Sequence, residues 1–349
     1  MNTAGIIGMG WVTPLGRDLN SVWTALKEGK KPEPMLLQSP VGGRSVPILR
    51  VPEGAVRDAA SFPRLRRSST ISLLAVAAAL DAVAAARLTP EALKRTALVF
   101  AVSDGGVVYT RKFYAEIVER GEGAGSPLLF PETVYNAPAS HIAARLGLEG
   151  EVLTLAGDAA TGLSAIQAAY ELLCAGEADF CVIAAAQELD WITCEAYARW
   201  GLIRGNDNHA ALFAEGGAAI VLARAPADCR VSAIHPGFSY TTELDAQARL
   251  KTLLTQLLQG SKADVLVSSA SGTWLDLAEE ECLSRQLPNS RVVTPRTTLG
   301  ESLACSTLQQ VICGVLALED IGGGTALILA AGYNRQLSGT VLTRKRDDS

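Results

Sequence analysis

One stretch constrains the fold more than any other, and it runs from residue 152 to residue 180. An apolar run leads into a turn of small residues, and then into a segment with only a narrow polar seam. A helix without a broad polar face is normally buried inside a domain. We therefore predict a short buried strand, a tight turn and a central helix that begins near residue 161. Residues 158–160 would lie at the helix N-terminus, where unpaired N–H groups favour an anion or a thiolate.

Length, charge and cysteine usage narrow the class of protein. The 349 residues carry a net charge of −5 and seven cysteines. This length suits one large domain or two ordinary ones, and the charge argues against a nucleic-acid partner. The cysteines lack metal-ligand spacing, so we expect buried thiols in a reducing compartment and no metal site. Neither a signal peptide nor an apolar run long enough for a membrane span is visible, so we expect a cytoplasmic protein.

Strand and helix patterns alternate along most of the chain, which is typical of α/β proteins with mostly parallel sheets. Residues 31–66 lack periodicity and are predicted to be loop. The second half repeats the order of the first and includes a second apolar helix. The main predicted helices cover 68–86, 109–120, 243–259, 274–286 and 301–317, and the main strands cover 96–102, 180–187, 216–224, 230–235, 263–270, 290–294, 325–331 and 340–344.

Two local patterns argue against cofactor or metal chemistry, and a third argues against a catalytic histidine. Gly8-Met9-Gly10 is followed by a tryptophan and a proline, whereas a dinucleotide loop needs a further glycine that opens a helix. The polar run at 206–209 holds one histidine without partner spacing, so a polar turn is favoured over a metal site. His141 is predicted to be a surface or interface histidine, because the sequence places no serine, cysteine or carboxylate to work with it. No cofactor is predicted.

The strongest motifs resemble those of the β-ketoacyl synthases, which have the thiolase fold. In that family the turn before the central helix carries Cys-Ala-Thr-Gly, and the matching residues here are 159–162, Ala-Ala-Thr-Gly. Residues 8–16 and 130–148 are similar to further segments of the family. The resemblance implies an α/β, thiolase-like fold with a layered αβαβα architecture. Its two similar halves would be residues 1–224 and 225–349.

The resemblance also implies that the catalytic positions of the family are replaced. The nucleophilic cysteine corresponds to Ala159, and the two histidines that stabilise the enolate correspond to Ser271 and Glu301. The family's lysine corresponds to Arg296. A methyl group cannot carry an acyl chain, and a carboxylate repels a developing enolate. We therefore expect no ordinary condensation in this subunit.

Such a chain resembles the chain-length factors, which are degenerate homologues that pair with an active ketosynthase in type II polyketide and aryl-polyene systems. The best-known factors carry glutamine at the cysteine position, so Ala159 favours the aryl-polyene type. The resemblance implies a heterodimer, an acyl carrier protein bound through the partner, and a tunnel that runs into the interface. The candidate tunnel and interface residues are Tyr109, Phe113, Ile117, Phe130, Val134 and Asn136.

Two other functions stay open at this stage. One is a self-sufficient acyl transferase or hydrolase that uses Ser271 with Glu301, or Cys305 as its thiol, although the sequence pairs no base with either nucleophile. The other is a homodimeric acyl-binding scaffold without a catalytic partner. The stripe at 109, 113 and 117 has the spacing of one helix face, so it also fits an ordinary core face.

Overall fold

The computed structural model describes residues 4–40, 42, 45–202, 212–272 and 274–346. The strands are β1 (Ala4–Val12), β2 (Met35–Leu37), β3 (Val46–Leu49), β4 (Thr96–Val102), β5 (Val152–Ala156), β6 (Phe180–Gln187), β7 (Phe213–Ala214), β8 (Gly216–Ala223), β9 (Cys229–Ser239), β10 (Val265–Val267), β11 (Arg291–Val293), β12 (Gly324–Ala331) and β13 (Gln336–Arg344). The helices are α1 (Leu19–Lys27), α2 (Arg57–Ser61), α3 (Thr70–Ala86), α4 (Pro90–Lys94), α5 (Val107–Arg120), α6 (Ala137–Leu146), α7 (Thr161–Ala175), α8 (Trp191–Arg199), α9 (Glu243–Leu258), α10 (Trp274–Gln286), α11 (Arg296–Leu299) and α12 (Ala304–Asp320). Within these ranges, no helix has the length and apolar character needed to cross a membrane.

One long sheet runs through the molecule in the order β11-β10-β12-β13-β9-β1-β8-β6-β4-β5. Strands from the first part of the chain form one side, and strands from residue 229 onward form the other. The sides meet where residues 4–6 of β1 pair antiparallel with residues 229–231 of β9. The sheet is mixed, because β1, β8, β9 and β13 pair antiparallel with their neighbours, so the prediction of mostly parallel sheets was wrong. The division into halves 1–224 and 225–349 stays a prediction.

Helices cover both faces of the sheet and give the five layers that the resemblance implies. Helices α7 and α12 contact each other at the centre, and α12 packs against β6 and β8 as well as β10 and β12. Helices α3 and α6 form the outer layer on the N-terminal side, and α9 and α10 form it on the C-terminal side. Every residue of α12 from Ala304 to Leu318 is buried, and each large apolar side chain there contributes roughly 2 kcal/mol.

The structure corrects several sequence predictions. The strand β5, predicted to be buried, is the edge strand of the sheet, and its residues are half-buried or exposed. The segment 31–66, predicted to be loop, contains β2, β3 and α2, and β3 pairs with the distant strand β7. The last central helix begins at Ala304 rather than at Glu301. The polar run at 206–209 lies outside the described residues.

Candidate functional site

Ala159, at the predicted nucleophile position, lies in the turn between β5 and α7 and is 1% exposed. Its N–H donates to Oδ1 of Asp158 at 2.6 Å, and its carbonyl accepts a hydrogen bond from Oγ1 of Thr307 at 2.5 Å. Gly162 lets α7 approach α12 closely, because a Cβ at this position would lie 2.8 Å from Thr307. The turn is therefore fixed against the second central helix, but it presents only a methyl group at the start of α7.

Glu301 and Arg296 form a buried ion pair beside this turn. Nη1 of Arg296 lies 3.0 Å from Oε2 of Glu301, and both side chains are 2% exposed. The remaining Arg296 donors reach Oε1 of Gln310 and the carbonyl of Ala331. Burial raises the pKa of the Glu301 carboxyl, and the charge of Arg296 opposes this shift. The two residues that stand where the family has histidine and lysine are therefore bound to each other.

The second oxygen of Glu301 holds an unusual backbone conformation. Oε1 of Glu301 accepts a hydrogen bond from the N–H of Leu303 at 2.7 Å. Leu303 has φ +52° and ψ −123°, a region that costs a non-glycine residue roughly 1–3 kcal/mol. The Glu301 carboxylate therefore stabilises the turn that precedes α12.

Ser271 lies on the loop after β10, and Ser268 of the same loop is bound to Gln310, which also binds Arg296. The N–H of Ser271 and that of Gly272 donate to Asp276, and the carbonyl of Ser268 accepts from Nε2 of Gln310 at 2.7 Å. In the described part of the chain, no hydrogen bond joins the Ser271 hydroxyl to Glu301. Ala159 contacts Thr307 of α12 and Glu301 contacts Leu303 just before it, and among the described residues Ser271 and Glu301 form no nucleophile–base pair.

Cys305, the alternative nucleophile, is fully buried inside α12. Burial raises the pKa of its thiol, and the charge of Glu301 raises it further. A thiol in these surroundings stays protonated at neutral pH, so it is a poor nucleophile.

An aromatic cluster, which sequence reasoning missed, lies next to Leu303. The rings of Tyr197 and Phe213 are 4.7 Å apart, and Tyr333 lies 5.9 Å from the first and 6.3 Å from the second. All three belong to the apolar cluster that contains Leu303. The buried hydroxyl of Tyr333 has no hydrogen-bond partner among the described residues. Burial raises the pKa of Tyr333, and the charge of Glu301 adds to the shift.

Comparison with known protein families identifies the part of the chain that contains the Ala159 turn. The family model of the β-ketoacyl synthase N-terminal domain matches residues 57–227. These residues belong to the β-ketoacyl synthase family. They include segment 130–148 and the Ala159 turn with α7, which carry two of the sequence motifs, whereas the motif at residues 8–16 lies before the matched range.

Two characterised relatives align with part of this synthase-like chain. The 3-oxoacyl-(acyl-carrier-protein) synthase 2 of Vibrio harveyi is 24% identical over an alignment of 190 residues that covers 52% of this chain and 45% of that protein. Nodulation protein E of Rhizobium sp. (strain N33) is 26% identical over an alignment of 223 residues that covers 57% of this chain and 54% of that protein. The chain therefore spans about half the length of these relatives.

Solved ketosynthases share the fold over nearly the whole chain. The ishigamide ketosynthase/chain length factor has a TM-score of 0.85 at 20% identity and covers 98% of this chain and 99% of its own. A β-ketoacyl synthase from Burkholderia phymatum STM815 has a TM-score of 0.84 at 16% identity, and the alignment covers 99% of this chain and 100% of that one. The AntDE:AntF complex of a type II PKS acyl-carrier protein with its ketosynthase has a TM-score of 0.81 at 15% sequence identity. The alignment covers 98% of this chain and 99% of the chain in that structure. The predicted thiolase-like fold is confirmed.

The candidate interface residues lie on the surface of this synthase-like chain. Tyr109, Phe113 and Ile117 are half-buried, and the ring of Phe113 lies 5.7 Å from that of Phe130. Asn136, which precedes α6, is exposed. Around them lies a group of exposed large apolar side chains, which we call the exposed apolar face: Tyr114, Val118, Leu128, Phe130, Val134 and Tyr135.

His141 was wrongly predicted to lack a carboxylate partner. It is 8% exposed, and its Nε2 lies 2.6 Å from Oε1 of Glu132 and 3.2 Å from Oγ of Ser68. Burial raises the pKa of Glu132, but hydrogen bonds from His141 and Ser69 outweigh burial and hold that pKa below its usual value. Both contacts use the same ring nitrogen, whereas a catalytic triad uses both nitrogens. The cluster is therefore structural.

Proposed function

We propose that this chain is a non-catalytic, ketosynthase-like subunit, a chain-length factor that pairs with an active β-ketoacyl synthase. The observation that carries the proposal is the state of the three catalytic positions. Ala159 offers no nucleophile, Ser271 cannot act as a histidine, and Glu301 is bound to Arg296. Condensation needs an acyl-bearing thiolate and donors for the enolate oxygen, and loss of one such donor costs roughly 100- to 1,000-fold in rate.

The molecular surface supports a partner subunit. The exposed apolar face includes Val118, which is 83% exposed, and Leu128, which is 67% exposed. Contiguous apolar patches of this kind mark protein–protein interfaces. Nearby, β5 pairs only with β4 among the described strands, so one edge of the sheet is open. Open edges are normally covered or paired, and α6 contacts both β5 and the segment that contains Phe130.

The fold neighbours agree with this role, since one is named for a ketosynthase/chain length factor and another for a ketosynthase bound to its acyl-carrier protein. In the proposed heterodimer the partner holds the growing chain and binds the carrier protein. This chain forms the wall of the tunnel through Tyr109, Phe113, Ile117, Phe130, Val134 and Asn136. Ala159 favours the aryl-polyene type, and a cytoplasmic location is part of the proposal.

The test is co-expression of the full chain with the β-ketoacyl synthase encoded beside it, followed by size-exclusion chromatography and a condensation assay. We expect a 1:1 pair that condenses malonyl and acyl carrier-protein thioesters, and no condensation by this chain alone. Changing the partner's catalytic cysteine to alanine should abolish the activity of the pair. A lone homodimer would support a scaffold instead, and normal turnover by the purified chain would contradict the proposal.

A further inference from the structure

The exposed apolar face is built from two segments, α5 and residues 128–135. None of the residues of α5 is buried, although all are described. In segment 128–135, which is also described in full, only Glu132 is buried. Burial of apolar surface therefore contributes less to the position of either segment than it does in the core. Polar contacts help to fix them.

Glu188, which follows β6, fixes the first segment. The residue is fully buried, and Oε1 accepts a hydrogen bond from the N–H of Val108 at 2.9 Å, in the first turn of α5. Oε2 accepts from the N–H of Ile71 at 3.0 Å, in the first turn of α3. One carboxylate thus joins the beginnings of two helices, whose first N–H groups lack partners within their own helix.

Glu132 fixes the second segment in the same way. Its Oε2 accepts hydrogen bonds from the N–H of Ser69 at 3.0 Å and from the hydroxyls of Ser69 at 3.2 Å and Ser72 at 3.3 Å. Its Oε1 contacts His141. The residue is 6% exposed, so its charge is directed into the molecule, whereas the neighbouring Phe130 is 55% exposed.

Both carboxylates therefore meet the same feature, the N-terminus of α3. A helix N-terminus attracts negative charge. Helix α3 is itself fixed, because it packs against β1, β6 and β8 in the core. The two segments also touch each other: a Cβ at Gly106 would lie 2.2 Å from the carbonyl oxygen of Glu132, and one at Gly105 would lie 2.6 Å from the ring of Tyr135.

We propose that Glu132 and Glu188 are positioning residues for pairing with the ketosynthase. They set the geometry of the exposed apolar face by tying its two segments to the N-terminus of α3. Because both side chains are buried, they act without touching the partner. This inference rests on the proposed function, since it requires a ketosynthase bound at this face.

The test is the dissociation constant of the pair for the variants E132Q and E188Q. The full chain is titrated against the ketosynthase encoded beside it, and the thermal midpoint of each variant is measured separately. An amide keeps the shape of the side chain but replaces one acceptor oxygen with a donor. Each variant therefore accepts fewer hydrogen bonds at the junction with α3. We expect the dissociation constant to rise at least tenfold. In unpaired E188Q, hydrogen exchange in α5 should accelerate.

Glu279→Gln is the matched control. Glu279 is 3% exposed and accepts hydrogen bonds from the N–H and the hydroxyl of Ser269, but it lies on α10, away from the face. This variant should lower the thermal midpoint and leave the dissociation constant unchanged. Ser72→Ala is a milder change that removes one donor to Glu132, and it should raise the dissociation constant about threefold even if E132Q does not fold.

Two negative outcomes are distinguishable. If the unaltered chain pairs tightly and the variants at 132, 188 and 72 lower only the thermal midpoint, the positioning role is wrong and the proposed function stands. If the unaltered chain does not pair with the ketosynthase, the proposed function fails, and this inference fails with it.

Discussion

At the scale of single residues, Glu301, which the resemblance aligns with a catalytic histidine, makes structural contacts. Glu301 contributes one oxygen to Arg296 and the other to the N–H of Leu303, and it is 2% exposed. A buried charge that loses its partner is strongly destabilising, because the remaining charge stays without solvent or counter-ion. The position that a resemblance assigns to catalysis is thus needed here to hold Arg296 and the start of α12.

The variant Glu301→Ala separates these two roles. It leaves Arg296 without its carboxylate, so we expect the free energy of unfolding to fall by about 3 kcal/mol or more. Urea denaturation of the unpaired chain measures this loss. The condensation rate per folded heterodimer should stay within about twofold of the unaltered pair. A rate loss of roughly 100-fold in correctly assembled heterodimer would mean that Glu301 takes part in catalysis.

At the scale of helices and strands, the sequence predicted what local pattern determines and missed what distant pairing determines. The apolar helices α3, α7 and α12 and the turn at Ala159 were predictable, because periodicity and small residues are local signals. The edge position of β5 and the existence of β3 were not, since β3 depends on pairing with β7, far away in the chain. The contact between His141 and Glu132 was missed for a different reason, because it depends on a short 3₁₀ turn at residues 130–132 that has no clear sequence pattern.

The junction of α3 and α5 carries a prediction about pH. Burial raises the pKa of Glu188 from 4.5 to about 7, the charges of Glu215 and Asp190 add to the shift, and hydrogen bonds from Val108 and Ile71 oppose it. Because the folded-state pKa lies above the unfolded value, the stabilising contribution is complete below pH 4.5. It is lost as the pH rises through 7, and amounts to about 3 kcal/mol.

The variant E188Q carries no titrating group at this site and should lose this dependence. Urea unfolding of both proteins at several values between pH 4.5 and pH 8 measures the effect. The stability of the unaltered chain relative to E188Q should decline as the pH rises. Other buried acids such as Asp104, whose pKa burial raises to about 6, titrate in both proteins and cancel in the difference. A pH-independent difference would contradict the assignment.

At the scale of the whole molecule, the distribution of exposed apolar side chains is uneven. The helices α7 and α12 bury most of their apolar surface between the two sides of the sheet. Helix α5, in contrast, leaves Tyr114 and Val118 exposed, next to Phe130 and Tyr135. The fold itself gains little from this surface, because these side chains contribute little burial. In the proposed function, this surface is where the partner subunit binds.

Val118→Glu tests this directly. Val118 is 83% exposed, so a glutamate there should change the free energy of unfolding by less than about 0.5 kcal/mol. A charge buried in an interface without a partner is costly, so we expect the dissociation constant of the heterodimer to rise tenfold or more. Self-association of the unpaired chain should decrease in the same variant, because the apolar patch is interrupted.

Leu244→Glu provides the matched comparison. Leu244 is 78% exposed in the first turn of α9, which packs against β9 and β13, and the variant likewise replaces an exposed aliphatic side chain with glutamate. Analytical ultracentrifugation of both variants, with and without the ketosynthase, compares their association. Loss of pairing in V118E but not in L244E assigns the interface to the exposed apolar face. Equal behaviour of the two would show that general surface charge, rather than this face, governs association.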